Sequence, residues 1–330
     1  MLIMDHLIGQ ENNLSLLTDL LKNSHFPTSF LIYGPRGSGK KTLAKLVSAA
    51  VNCEFGRLGE DCSCHSCHKV ETGNHPDVRW LGFDEEAYSI KIEEIHTLIN
   101  WAGYKVLEGK KKVFIINRAE RMTEEAANAL LKTLEEPPAD TLIFLLVENP
   151  ANLRETLASR CFKIKIDPLS AEAVKKRLVD HFKWNEKEAS LAAKFSRGSL
   201  GQALELKGDN VSETMRSFLE EVLPYPTIGV ERWIGKKRHE VLKGLQLLSL
   251  LLRDLVVYRE TAEPALLYQE DFGREFKDWS ARLKTKMVLD ILRLINETEA
   301  AIQDNVNPKI ALFRLGTAIE KIYGKTAIYE

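Results

Sequence analysis

At 330 residues with 44% apolar side chains, the chain is long enough for about two or three domains, each with a real core. A formal net charge of −1 excludes a global basic field, so any nucleic-acid contact must be local or made through partners. The N-terminus has no basic-then-apolar signal pattern. The strongest apolar stretch, Leu245 to Leu252, contains Gln246 and Ser249 and is too short to span a bilayer, which predicts a cytoplasmic protein with no membrane contact.

Leu14, Leu17, Leu20 and Leu21 recur at helical spacing over residues 11–23, and Asn23 to Pro27 break the pattern before a strand at Phe30 to Tyr33. Gly34-Pro35-Arg36-Gly37-Ser38-Gly39-Lys40 follows, then a helix to about Asn52 with Leu43, Leu46, Val47 and Ala50 on one face. Strand, glycine-rich turn, lysine and helix in this order define a phosphate-binding loop. Gly34, Gly37 and Gly39 let the backbone N–H groups face phosphate oxygens, and Lys40 brings a cation to them. The residue after that lysine ordinarily carries the hydroxyl that ligates Mg²⁺. Here it is Lys41, with Thr42 one place late. Binding and turnover need different parts, so ATP/Mg binding stays open on these residues while turnover is not expected.

Cys53, Cys62, Cys64 and Cys67 come next, in the spacing C-x8-C-x-C-x2-C. Thiolates crowded beside glycine and charged residues have no apolar core to explain them, and four can close a tetrahedral, structural zinc site with no open catalytic position. The single residue between Cys62 and Cys64 is tight for zinc, which keeps His65 and His68 as alternatives to one sulfur. A helix is expected from near His68, a short strand at Asp77 to Leu81 and a helix at Ile90 to Tyr104.

Lys112 to Ile116 reads as a buried parallel strand. At its end a P-loop enzyme places the acids that handle Mg²⁺ and the attacking water. This chain has Asn117 and Arg118 there, with Glu120 out of register. Thr123 to Glu136 is a helix with an acidic first turn, ended by Pro137-Pro138. Strands at Leu142 to Val147 and Phe162 to Ile166 flank Ser159-Arg160-Cys161. The alternation from 28 to 166 predicts a doubly wound parallel α/β sheet. Three short helices follow at 171–182, 186–195 and 200–206, then a linker at 207–210, then helices to the end. Leu242, Leu245, Leu248, Leu252, Leu255 and Val256 make a wide apolar stripe there, which either closes a bundle or packs on neighbours.

Taken together, Cys53 to Cys67, Gly73-Asn74-His75-Pro76-Asp77, the run Asn128 to Pro138 and Ser159-Arg160-Cys161 resemble the bacterial DNA polymerase III clamp loader, an AAA+ family. The resemblance covers about half the chain and is to the family's delta prime branch rather than its ATP-hydrolysing gamma/tau branch. In the gamma/tau pattern the loop ends GKT or GKS, the second landmark is Asp-Glu and the lid carries an arginine. The matching places here hold Lys41, Asn117 with Arg118, and Gly201. The resemblance implies an AAA+ core over 1–168 with a zinc module near 53–67, a helical lid over 169–208 and a helical collar over 209–330. It implies a hetero-oligomer with gamma/tau ATPase subunits and a delta subunit, reaching the sliding clamp and primer-template DNA through the complex. It also makes Arg160 an arginine finger that serves the ATP site of a neighbouring subunit, although an arginine at a strand start is ordinarily just solvated or ion-paired. Two rival readings are an active gamma/tau-like ATPase, using Thr42 and Glu120, and a zinc-dependent nucleic-acid-binding module, which the near-neutral charge disfavours.

Overall fold

The structure, a computed structural model, describes residues 7–22, 26–56, 62, 64–83, 89–207, 214, 216–231, 233, 236–263, 267, 273–303 and 306–326. The expected break at 23–25 and most of the linker, at 208–210, lie outside these residues. The chain divides into two compact units, one of residues 1–184 and 196–205, the other of 185–195 and 206–330.

In the first unit α1 (Glu11–Lys22), β1 (Ser29–Tyr33) and α2 (Lys40–Asn52) lead to α3 (His65–Thr72), β2 (Val78–Leu81) and α4 (Ile92–Ala102). Then come β3 (Lys112–Asn117), α5 (Glu124–Glu135), β4 (Thr141–Val147), α6 (Glu155–Ala158), β5 (Phe162–Lys165), α7 (Ala171–Asp180) and, after α8 (Glu186–Phe195) of the second unit, α9 (Leu200–Glu205). The strands form one sheet in the order β2-β3-β4-β1-β5, and every pairing is parallel.

Strand side chains alternate between faces. Phe30, Ile32, Phe144 and Leu146 therefore pack toward Leu17 of α1 and Leu43 and Val47 of α2, while Leu31, Ile143 and Leu145 pack toward Ile95 and Leu98 of α4 and Leu130 of α5. Helices on both faces explain the nearly unbroken apolar strands, for all of β4 is buried. Two helix boundaries differ from the sequence reading. The helix of the cysteine region starts at His65, three residues early, because Cys64 caps it by accepting the Cys67 N–H on its sulfur. The next helix starts at Ile92 because Ile90 is held as a parallel bridge to Met122.

The second unit contains helices at Pro226–Glu231, Arg238–Thr261, Gly273–Arg282, Thr285–Gln303 and Pro308–Thr326, with a π-helical turn at Phe218–Val222. Leu245, Leu248, Leu252 and Leu255 are buried among Phe276, Ile291, Ile295 and Leu312. The stripe thus closes this unit's own bundle, and the exposed apolar side chains are others, among them Ile310 and Phe313 at 65% and 57% exposure. Among the described residues no helix is long and apolar enough to cross a membrane.

Candidate functional site

The loop between β1 and α2 is shaped by backbone that only glycine adopts freely. Gly37 has φ +71°, and a Cβ on it would lie 2.4 Å from the Ser199 hydroxyl. The loop borders a cavity of about 490 Å³, lined also by Lys40, Lys41, Thr42, Asn117, Arg118, Glu120 and Glu148. Its cations are engaged from within. Lys40 Nζ donates to the Gly34 and Pro35 carbonyls at 2.6 and 2.8 Å, and burial lowers its pKa while Glu148 and Glu120 oppose that shift. Lys41 lies with Nζ 4.5 Å from the Phe83 ring centre and 5.5 Å from that of Trp80, a cation–π arrangement.

The end of β3 is also committed. Asn117 Nδ2 donates to the Gly82 carbonyl at 3.1 Å, and Arg118 holds a left-handed backbone with φ 51°. Glu120, three positions past Asn117, lines the same cavity, and burial pushes its carboxyl up from the usual range against the backbone N–H groups of Glu120 and Glu148, which lower it. On the opposite side α9 sits on the loop. Gly201 N–H donates to the Gly37 carbonyl at 3.0 Å, Ser199 Oγ donates to the Arg36 carbonyl at 2.8 Å, and Arg36 pairs with Glu205 at 3.3 Å. A Cβ at Gly201 would come within 2.9 Å of Gly37 Cα and its carbonyl oxygen, so any larger side chain there requires the two backbones to separate.

Beside α2 and α3, Cys53, Cys62, Cys64 and Cys67 bring their sulfurs within 4.8 Å of one another. Cys53 Sγ lies 3.6 Å from that of Cys62 and 4.0 Å from that of Cys64. Tetrahedral zinc with Zn–S near 2.3 Å sets sulfurs about 3.8 Å apart, so the donor set fits a metal ion. His65 and His68 are not part of the group found among the described residues. Burial raises the Cys67 thiol pKa, which a bound cation would reverse.

A buried polar network backs this module. Asp77 takes the N–H groups of Leu107, Glu108 and Gly109, each at 2.8 Å, and Asn52 Oδ1 takes those of Lys110 and Lys111 at the same distance. His75 Nδ1 accepts the Asp77 N–H at 3.1 Å, and its Nε2 meets Ser66 Oγ on α3 at 3.1 Å. Burial raises the Asp77 carboxyl, but the backbone N–H groups outweigh it and hold the pKa below the usual value. Sequence reading noted the His75-Pro76-Asp77 segment without assigning this role, and the acceptor Asn52 at the end of α2 carried no signal.

Arg160 follows α6 and precedes β5. Its Nε donates to Glu135 Oε1 at 2.7 Å, Nη2 pairs with the same oxygen, and Nη1 donates to the Thr156 carbonyl at 2.8 Å. The side chain remains 35% exposed. The ordinary reading of a surface arginine therefore holds as far as it goes, and Glu135 is a partner that sequence reading missed. Two carboxylates, Glu135 and Glu136, at the negative end of a helix were the available signal.

A five-stranded parallel sheet in which β1, between β4 and β5, runs into a glycine-rich loop and a helix N-terminus, opening on a cavity beside a buried lysine, has the architecture of a P-loop protein. A family model described as DNA polymerase III, delta subunit, matches residues 9–170. DNA polymerase III subunit delta' of Bacillus subtilis (strain 168) is 30% identical over 309 residues, which cover 90% of this chain and 92% of that protein. The chain belongs to the DNA polymerase III subunit delta' family. DNA polymerase III subunit tau of Salmonella typhimurium is 31% identical over 205 residues, which cover 60% of this chain and 32% of tau, so the chain spans about a third of that longer relative. Among solved structures, a DNA polymerase III gamma subunit-related protein of Thermotoga maritima aligns with a TM-score of 0.44 and 19% identity, covering 93% of this chain and 98% of that one.

Proposed function

We propose that this chain is a delta prime subunit of the bacterial clamp-loading complex in the cytoplasm, a non-hydrolysing arm that lends Arg160 to the ATP site of a neighbouring subunit while the sliding clamp is placed on primed DNA. One observation carries the reading. Every place from which a P-loop enzyme would draw its metal ligand, its water activator and its lid cation is filled by a group that is wrong for the task and engaged elsewhere. Lys41 rests on aromatic rings, Asn117 is bound to Gly82, and Gly201 is bonded by its backbone to Gly37. Compensating one loss is conceivable chemically, but metal, base and charge stabilisation are lost together. Arg160 meanwhile is not among the residues lining the cavity, and neither are its partners Glu135 and Thr156. Gamma/tau ATPase subunits and a delta subunit are the proposed partners, with contact to clamp and DNA made through the assembly. The exposed Ile310 and Phe313 of the last helix are candidates for the collar contact. One structural zinc on Cys53, Cys62, Cys64 and Cys67 completes the proposal, supported by the sulfur spacing.

The test is steady-state ATP hydrolysis by the purified chain and by its Lys40→Ala form, followed by hydrolysis in the reconstituted complex. Background turnover alone, with stimulation only in the complex, is the expected result. A second reading, the active gamma/tau-like ATPase, is favoured by one observation: Glu120 does line the cavity that Lys40 lines. Turnover by the isolated chain that Lys40→Ala abolishes establishes that reading instead.

A further inference from the structure

The guanidinium of Arg160 is fixed on two sides. Glu135 Oε1 takes Nε, at 2.7 Å, and Nη2, while the Thr156 carbonyl takes Nη1 at 2.8 Å. Nη1 also donates to the Ser159 hydroxyl at 3.5 Å, which in turn donates to the Thr156 carbonyl at 3.2 Å. These contacts take the Nε hydrogen, both hydrogens of Nη1 and one of the two on Nη2, so of the five N–H groups one, on Nη2, is left for an outside anion. We infer that Glu135 is a positioning residue: it holds the Arg160 fork in the orientation in which the remaining Nη2 donor and the guanidinium charge meet a phosphate on a neighbouring chain.

Two independent features support this role. Glu135 is the last residue of α5, where the helix dipole disfavours a carboxylate, and Glu136 follows it directly. A placement that works against the helix is understandable where the carboxylate holds a cation, and Pro137 and Pro138 stop the helix from continuing past it. Second, the pair is half exposed, with Glu135 at 48% and Arg160 at 35%. Pairs of this exposure contribute little to folding, so stability does not account for it. Its larger effect is to remove rotamer freedom from a long side chain before the phosphate arrives, which is the cost that preorganisation avoids. Glu135 itself touches no phosphate in this scheme.

The inference rests on the trans-arginine reading above, and the experiment separates the two. ATPase of the reconstituted loader with clamp and primed DNA is measured for Glu135→Ala, Glu135→Gln, Arg160→Ala and the double variant Glu135→Ala/Arg160→Ala, at equal incorporation and equal thermal midpoint. Glu135→Ala should lower kcat about tenfold with KM for ATP unchanged, and Glu135→Gln, which keeps an acceptor oxygen, should lower it less. Adding Glu135→Ala to Arg160→Ala should cost nothing further. If Arg160→Ala leaves turnover unchanged, the trans-arginine reading fails and this one with it. If Arg160→Ala lowers turnover while Glu135→Ala does not, or if Glu135→Ala lowers it equally in the Arg160→Ala background, the finger stands and the positioning role is overturned. Should Glu135→Ala fail to assemble, the near-isosteric Gln form decides by the same readings.

Discussion

The phosphate loop and the Arg160 corner are built on the same sheet, yet they dispose of their cations in opposite ways. Lys40 and Lys41 are satisfied by carbonyls and rings of their own unit, whereas Arg160 is clamped by Glu135 and Thr156 and stays partly exposed with one N–H on Nη2 uncommitted. The loop's glycines and lysine are bound into the fold itself, through the Gly37 contacts to Ser199 and Gly201 and the Lys40 bonds to Gly34 and Pro35. The arginine has no comparable use in the fold, since a half-exposed pair contributes little. On the proposed reading, the chemistry that this chain serves lies at its edge and not in its cavity.

The sharpest way to break that comparison is to remove the Arg160 charge. Arg160→Ala should leave the chain folded and incorporated but lower ATP turnover of the assembled loader by on the order of 10³, about 4 kcal/mol of transition-state stabilisation. Lys in its place should restore only part, because an ammonium lacks the planar fork. Turnover measured at equal incorporation checks this, and an unchanged rate in the Ala form leaves only a scaffold role.

The thiol cluster comes next in size. Elemental analysis of protein purified without chelator should find one zinc per chain, and Cys62→Ala should lower stability by about 3 kcal/mol as the cysteine segment loses the metal that closes it. Protein without zinc, or a fully stable Cys62→Ala form, would end the assignment. A smaller effect is expected at Asp77, whose carboxylate collects the N–H groups of Leu107, Glu108 and Gly109. Asp77→Asn should cost about 2 kcal/mol near neutral pH. Because the folded pKa lies below the usual 3.8, that stability is fully present above this value and lost as pH falls through the folded one. Urea midpoints of the two forms should therefore stay apart above about pH 3.8 and converge as the pH falls below it through the folded pKa, and a gap that does not change with pH would contradict the carboxylate account.

Much of this was legible from local chemistry. The strands announced themselves because burial on both faces demands continuous apolar runs such as Leu142 to Val147. The loop and the cysteines were legible because glycine, lysine and thiol spacing serve few other purposes. What was hidden depends on residues far apart in sequence. Asn52 and Lys110 are 58 positions apart, and Arg160 and Glu135 are 25 apart. Periodicity also could not say what covered the stripe at Leu245 to Leu255. Only the packing of that helix on Phe276 and Ile291 shows that its own unit does so.

Gly201 offers a finer test of how closed the cavity side is. A Cβ there meets Gly37 backbone at 2.9 Å, so Gly201→Arg, which writes the lid arginine of the hydrolysing branch into this chain, should lower stability by about 1–2 kcal/mol and should not create turnover. Thermal unfolding and an ATPase assay report the two halves separately. Gained hydrolysis would mean that the loop was one cation short of working.

The smallest expected effect is the most telling about the loop itself. Lys40 is the group that a working P-loop aims at the β and γ phosphates, and its loss in an active site removes that charge at once. Here Nζ is bound to the Gly34 and Pro35 carbonyls, burial lowers its pKa against the opposing charges of Glu148 and Glu120, and β3 itself carries no acid to hold a metal. On the proposed reading the cavity runs no hydrolysis from which removing Lys40 could subtract. Lys40→Ala should leave ATP turnover of the assembled loader within about twofold of the parent, against the roughly thousandfold loss expected at Arg160. The two variants measured side by side in one preparation give the ratio directly. Equal losses at both positions would place hydrolysis in this chain's own cavity and reverse the assignment of donor and owner.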